Sequence, residues 1–410
     1  MATVSCLAGL VLPAAGTASS AAGQRTAQRA GQRAGQRPGR LPAASARSAA
    51  AGRSAAAARS AASARSAATA RPTAAVTTKD FTGTFQPVEL VTTDGQVWLV
   101  SSGNSNGTRC RMGRINPVTM ALTSYPLSAC GFNVAAGPGA LFLETTVANV
   151  KSETYAVHIE RFSTSTYVST VFGTVSATIF LGSDAAHTQL AYVAGSLWFY
   201  AWFSGRAEVL QLSAATGAVE RVFRSVPQIG GAEPIIVGTP GYVWLAGGAG
   251  SGADFLRIRA SNGASRSVLL PGRFASVYEL AAAGSSLFFL YWGYPAGTSS
   301  RNLRLTKHVG RINANGEVLK VSPNEQLGTW LVPLSASMFS VGPGDSCTPP
   351  ALVWGVDEQT LRTSVIAKLW PPGGPCAGES SFRAVGAADH SIFVLFSGLP
   401  GTLYRVTPTG

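Results

Sequence analysis

From residue 81 onward the chain alternates between short, densely apolar bursts and small polar breaks. Each burst opens on glycine or another small residue and runs into a large apolar pair, often with tryptophan. The copies are Gly95-Gln96-Val97-Trp98-Leu99, Gly139-Ala140-Leu141-Phe142-Leu143, Gly195-Ser196-Leu197-Trp198-Phe199 and Gly241-Tyr242-Val243-Trp244-Leu245. Gly284-Ser285-Ser286-Leu287-Phe288-Phe289, Ala336-Ser337-Met338-Phe339 and His390-Ser391-Ile392-Phe393-Val394 complete the set. The seven copies lie 44 to 56 residues apart.

A second strand-like phrase and a turn follow each burst. Gly113-Arg114-Ile115-Asn116-Pro117 and Gly310-Arg311-Ile312-Asn313-Ala314-Asn315-Gly316 are the clearest. Leu210–Ser213 leads to Thr216-Gly217, and Leu256–Arg259 leads to Asn262-Gly263. Such Asn-Gly and Thr-Gly pairs supply the positive φ that tight hairpins require. A further β-rich segment then follows, as in Val219–Phe223 or Val318–Val321. No long amphipathic helical pattern occurs past residue 80. Four short antiparallel strands repeated seven times, at this period, predict an all-β, seven-bladed β-propeller. The last copy ends at the turn where its fourth strand should begin, so the segment around Val76–Phe85 is expected to supply that strand and close the ring.

The N-terminal part reads differently. Met1–Ala22 holds an apolar run, Leu7–Leu12, followed by small residues, which resembles a secretory signal peptide although its start carries no Lys or Arg. Gly23–Ala75 is built of Ala, Arg, Ser, Gly and Gln with no aromatic residue. Its arginines recur every four positions from Arg25 to Arg37, and every six from Arg47 to Arg71. A six-residue step spreads charge around a helix and leaves no apolar stripe to pack. The segment is therefore expected to be a disordered linker. The organisation expected is thus 1–22 signal, 23–75 linker and 76–410 propeller.

The formal net charge of +13 resembles a nucleic-acid footprint until it is located. Ten arginines lie between Arg25 and Arg71, and no acid precedes Asp80. From Lys79 on, 22 basic residues face 19 acidic ones, a balance of about +3. The basicity belongs to the linker, which could tether the protein to an anionic surface. Its lack of rings disfavours specific single-strand recognition, and no specific nucleic-acid partner is expected.

Cys110 and Cys130 bracket the third and fourth strands of the first unit, and Cys347 and Cys376 bracket the same pair in the sixth. Equivalent placement in two repeats predicts two local disulfides, and with the signal it predicts a secreted or cell-surface protein. CxxC metal spacing is absent.

The G-x-[LV]-W and G-R-I-N phrases resemble the repeats of streptogramin (virginiamycin B) lyase-like propellers and of the wider YVTN/NHL/SMP-30 group, over roughly residues 81–410. The resemblance implies the fold. In the lyases an acid and a histidine two positions apart act with a further histidine and a magnesium ion. Here Glu144 follows Leu141-Phe142-Leu143, but Thr145 and Thr146 come next, and Glu-x-His occurs nowhere. The resemblance does not carry the chemistry across.

Other chemical signals have plain structural readings. Gly103-Asn104-Ser105-Asn106-Gly107 matches a nucleophile elbow, yet it lies in an Asn/Gly-rich hairpin loop rather than on a strand-to-helix turn. Gly247–Gly252 reads as loop. His158, His308 and His390 fit structural roles in strands and a turn.

A site is best sought where the innermost strands meet. Seven residues before each apolar anchor stand Leu90, Val134, Leu190, Ile236, Leu280, Leu331 and Val385. One position farther out stand Glu89, Asn133, Gln189, Ile235, Glu279, Trp330 and Ala384, a largely polar column expected to ring the channel mouth. His187, Glu233 and Arg383 are expected close by. The ligand-binding set is thus Glu89, Asn133, His187, Gln189, Glu233, Glu279, Trp330 and Arg383, with no catalytic residue, metal or cofactor predicted. The leading expectation is a monomeric, exported module binding a small ligand or an extracellular protein or glycan. The alternative is a metal-dependent lyase- or lactonase-type enzyme with its site at the channel mouth.

Overall fold

The structure is a computed structural model. It describes residues 74–81, 85–102, 110–149, 154–180, 188–203, 206–224, 226, 235–246, 255–270, 275–293, 306–322, 327–334, 337–342, 350–370, 381–386, 389–397 and 401–409. The expected signal, most of the linker, and Cys347 and Cys376 lie outside the described residues.

The described residues form seven four-stranded antiparallel sheets and no helix. Blade 1 runs from its innermost strand Gln86–Thr93 through Gln96–Ser102 and Arg111–Ile115 to its outermost strand Leu122–Pro126. The innermost strands of blades 2 to 7 are Gly131–Gly137, Thr188–Val193, Ile235–Thr239, Ala275–Ala283, Trp330–Leu334 and Ser381–Gly386. Each lies against the next, and that of blade 7 lies against that of blade 1, so the ring closes around an axis.

The apolar bursts are the second strands, and the ring explains why they are apolar at consecutive positions. Val97 and Leu99 pack with Phe393, Leu395 and Leu403 of blade 7, whereas Trp98 and Val100 pack with Leu141 and Leu143 of blade 2. A strand between two neighbouring sheets buries both faces, so alternation gives way to a continuous run. The fourth strands face solvent; Val219–Phe223 is exposed over most of its length. The turn residues behave as the pattern requires. Asp94 and Gly95 take φ of 51° and 71° in a two-residue hairpin, and Ala194 and Gly195 take 50° and 84°.

The glycine of the G-R-I phrase has a packing reason. A Cβ on Gly310 would lie 2.0 Å from the ring carbon Cζ of Phe289, its cross-strand partner. The arginine of the phrase joins blades. Arg311 donates to the backbone oxygen of Glu358 in the next blade (3.4 Å), Arg257 to that of Ala314, and Arg405 of blade 7 to that of Val118 in blade 1 (3.4 Å).

The closing strand is Ala74–Phe81, paired along its whole length with Gly401–Pro408 as the outermost strand of blade 7. It ends before Phe85, which is instead a buried core residue with its ring 5.8 Å from that of Phe81. Cys110 and Cys130 form the expected disulfide of blade 1.

Candidate functional site

The innermost strands around the ring differ in one respect. The innermost strands of blades 1, 2 and 5 each carry a register shift, between Pro87 and Glu89, Phe132 and Val134, and Val277 and Glu279. These are the blades whose column position is Glu89, Asn133 or Glu279. A bulge re-aims the side chains beside it, so the polar residues sit where the strands are locally bent.

Four column positions from four blades converge. Arg383 of blade 7 meets Glu89 of blade 1 in a two-pronged ion pair: Nη2 lies 2.8 Å from Oε1, and Nε lies 3.0 and 3.1 Å from the two carboxylate oxygens. The pair is only partly covered, with the side chains 29% and 18% exposed. The same guanidinium lies over the Trp330 ring of blade 6, 4.8 Å from its centroid. Glu279 of blade 5 is buried, and that burial holds its carboxyl well above the usual carboxylate range. A hydrogen bond from the Leu331 backbone N–H and the field of Arg383 oppose the shift without cancelling it. Burial thus favours the protonated form of a carboxyl that lies within the field of Arg383.

The other expected residues are placed differently. Asn133, at φ 50°, donates from Nδ2 to Oε2 of the fully buried Glu144 (3.1 Å). Gln189 accepts the Ile236 backbone N–H of the next blade (3.1 Å). Both stitch the scaffold. His187 and Glu233 lie outside the described residues.

The register in blade 7 corrects one column assignment. Glu89 pairs with Val100, Glu279 with Leu290 and Trp330 with Val341; the equivalent pair in blade 7 is Arg383 with Leu395, whereas Ala384 pairs with Val394 and is buried. The cause is the turn. Blade 7 connects Gly386 to Ile392 where blade 1 connects Thr92 to Val97, one residue more. That turn holds no glycine, and His390 takes the positive φ (60°).

His308 is buried with Nδ1 2.8 Å from the Ser322 carbonyl oxygen and Nε2 2.7 Å from the Thr306 hydroxyl, in a structural role. Among the described residues no group of three or more His, Cys, Asp or Glu is placed to hold a metal ion.

The chain matches no protein-family model and no curated protein sequence. Among solved structures it is similar to the β-propeller domain of the trilobed protease of Pyrococcus furiosus, with TM-score 0.52 and 9% identity over 79% of this chain and 94% of that one. What the two share is the propeller fold. A Pyrococcus horikoshii acylaminoacyl peptidase is similar at TM-score 0.51 and 9% identity, over 79% of this chain. This chain spans about half (52%) of that peptidase's length. The Pyrococcus furiosus domain is described as having an open velcro topology; here the N-terminal strand completes blade 7.

Proposed function

We propose that this protein is an exported, non-enzymatic binding module whose propeller takes a small polar ligand, or a polar loop of a partner, at the channel cluster. The observation that carries the reading is the convergence of Glu89, Arg383, Trp330 and Glu279 from four blades. Few convergent polar groups beside an aromatic wall are what fixes a small ligand. Because Glu89 balances Arg383 and burial disfavours a charge on Glu279, the cluster suits an uncharged, hydroxyl- or amide-bearing group more than an ion. Export is supported by the Leu7–Leu12 run and by the Cys110–Cys130 disulfide, and the arginine-rich segment serves as the linker.

The test is thermal-shift screening of the full chain against uncharged sugars, amides and divalent cations, with Glu89→Ala and Glu279→Ala beside it. Stabilisation by an uncharged polar compound, lost in both variants, supports the reading. Stabilisation by a divalent cation, lost in both, supports instead the lyase- or lactonase-type enzyme that the repeat resemblance suggests. Mass spectrometry of the N-terminus recovered outside the cytoplasm tests export.

A further inference from the structure

The outer halves of blades 3, 4 and 5 carry a feature that the channel does not use. In each blade one residue of the outermost strand pairs with the third-strand residue that faces the aromatic or apolar anchor. Around the ring that position is Thr123, Thr170, Arg221, Arg266, Lys320, Ser364 and Thr77. Four blades place an alcohol there; three consecutive blades place a cation.

The positions behind them add to the charge. Arg266 stands directly opposite Arg257, and Lys320 directly opposite Arg311. Like charges facing each other across strands cost stability, yet the arrangement occurs in two adjacent blades. The polar contacts of these groups are to neutral partners. Arg221 donates to the Ser261 backbone oxygen (3.2 Å), Lys320 to that of Gln359 (2.9 Å), and Arg311 to Ser286 Oγ and Glu358 O. Arg257 and Arg259 also lie over the Tyr242 ring, at 4.6 and 5.8 Å. Among the described residues none of these six cations forms an ion pair, and Arg266 is exposed with no hydrogen bond. Two acids of these blades are turned to neutral donors, Glu220 accepting from Ser196 and Glu317 from Asn313, while Glu208 pairs with Arg224 (3.6 Å) and the field of Lys320 reaches Asp357 of the next blade.

We propose that this cationic arc binds a linear anionic glycan, its carboxylate or sulfate groups meeting Arg221, Arg266 and Lys320 in successive blades. Planar guanidinium forks pair two-pronged with such oxyanions, and a charge repeated once per blade matches a polymer that repeats its own. Nucleic acid fits less well, because the Tyr242 ring already carries two guanidinium groups and is not open for base stacking.

The repeat itself supplies the substitution to test, since the fold accepts threonine at this position in three other blades. Full-length protein and the Arg221→Thr/Arg266→Thr/Lys320→Thr variant are titrated against heparin, polygalacturonate, duplex DNA and anionic phospholipid vesicles over a salt series. The expected result is binding to at least one glycan that weakens about tenfold or more in the variant, with a shallower salt dependence. Heparin against polygalacturonate separates sulfate from carboxylate. Arg266→Thr, which breaks no contact, must weaken binding in the same direction and decides the matter if the triple variant fails to fold. Equal binding by variant and parent would assign the affinity to the arginine-rich linker and overturn the proposal. So would no glycan binding, or tighter binding to DNA or vesicles.

Discussion

Arg383 and Glu89 are 294 residues apart in sequence and form a two-pronged ion pair between the last blade and the first. The pair sits on the closing seam of the ring, so it couples the candidate site to the seam's integrity. Its partial exposure limits its worth. Either Glu89→Gln or Arg383→Met should cost about 1–2 kcal/mol, from the lost charge-assisted bonds and the charge left behind. Urea unfolding of both single variants and the double should show the double costing less than the sum. Additive losses would mean the pair contributes nothing to closure.

Glu279 should shape the pH dependence of stability. Its carboxyl titrates well above the ordinary 4.5 because it is buried. The folded state therefore holds a proton that the unfolded chain releases. That contribution is fully present below about 4.5, the unfolded value, and is lost as pH rises through the folded value. Glu279→Gln, which can still accept the Leu331 N–H, should show a smaller loss of stability than the parent between acid and neutral pH. Parallel stability curves for the two proteins across that range would refute a raised titration.

The disulfide of blade 1 encloses a separation of 20 residues. Closing a loop of that size is worth about 3 kcal/mol in chain entropy. Cys110→Ser/Cys130→Ser should lower the thermal midpoint, and a reductant should lower the parent's midpoint without affecting the variant.

Gly310 lies beneath the Phe289 ring, with no room for a methyl group. Gly310→Ala should cost about 1–3 kcal/mol through overpacking. Gly139, at φ 68° but with nothing within 4 Å of its Cβ position, separates the two causes of glycine use. Replacing it with Asn, which tolerates positive φ, should cost little.

Arg405 binds Asp389 (2.9 Å) and Ser391 (3.0 Å) within blade 7 and reaches Val118 O of blade 1. Arg405→Met should destabilise by about 2 kcal/mol, more than Arg266→Thr, which gives up no bond. Equal midpoints for the two variants would show that the inter-blade contact is idle.

The sequence alone determined the number of blades, the identity of the second strands and the closing strand, because these depend on local chemistry. Burial on both faces demands consecutive apolar residues, as at Val97–Val100, and tight hairpins demand residues such as Asp94-Gly95. The Cys110–Cys130 pairing was legible for the same reason, since both cysteines flank one hairpin. Only the tertiary structure decided which polar residues meet. The column joined Glu89, Glu279 and Trp330 to Ala384, whereas the strand pairing gives that register to Arg383, because one extra turn residue shifts a register and a shift of one exchanges the faces of a strand. It also grouped Asn133 and Gln189 with the site, though their amides are engaged by Glu144 and Ile236. The cationic arc was likewise hidden: Arg221, Arg266 and Lys320 are scattered along the chain, and only the repeated pairing of strands, each fixed by its own turn, brings them to equivalent places on adjoining blades.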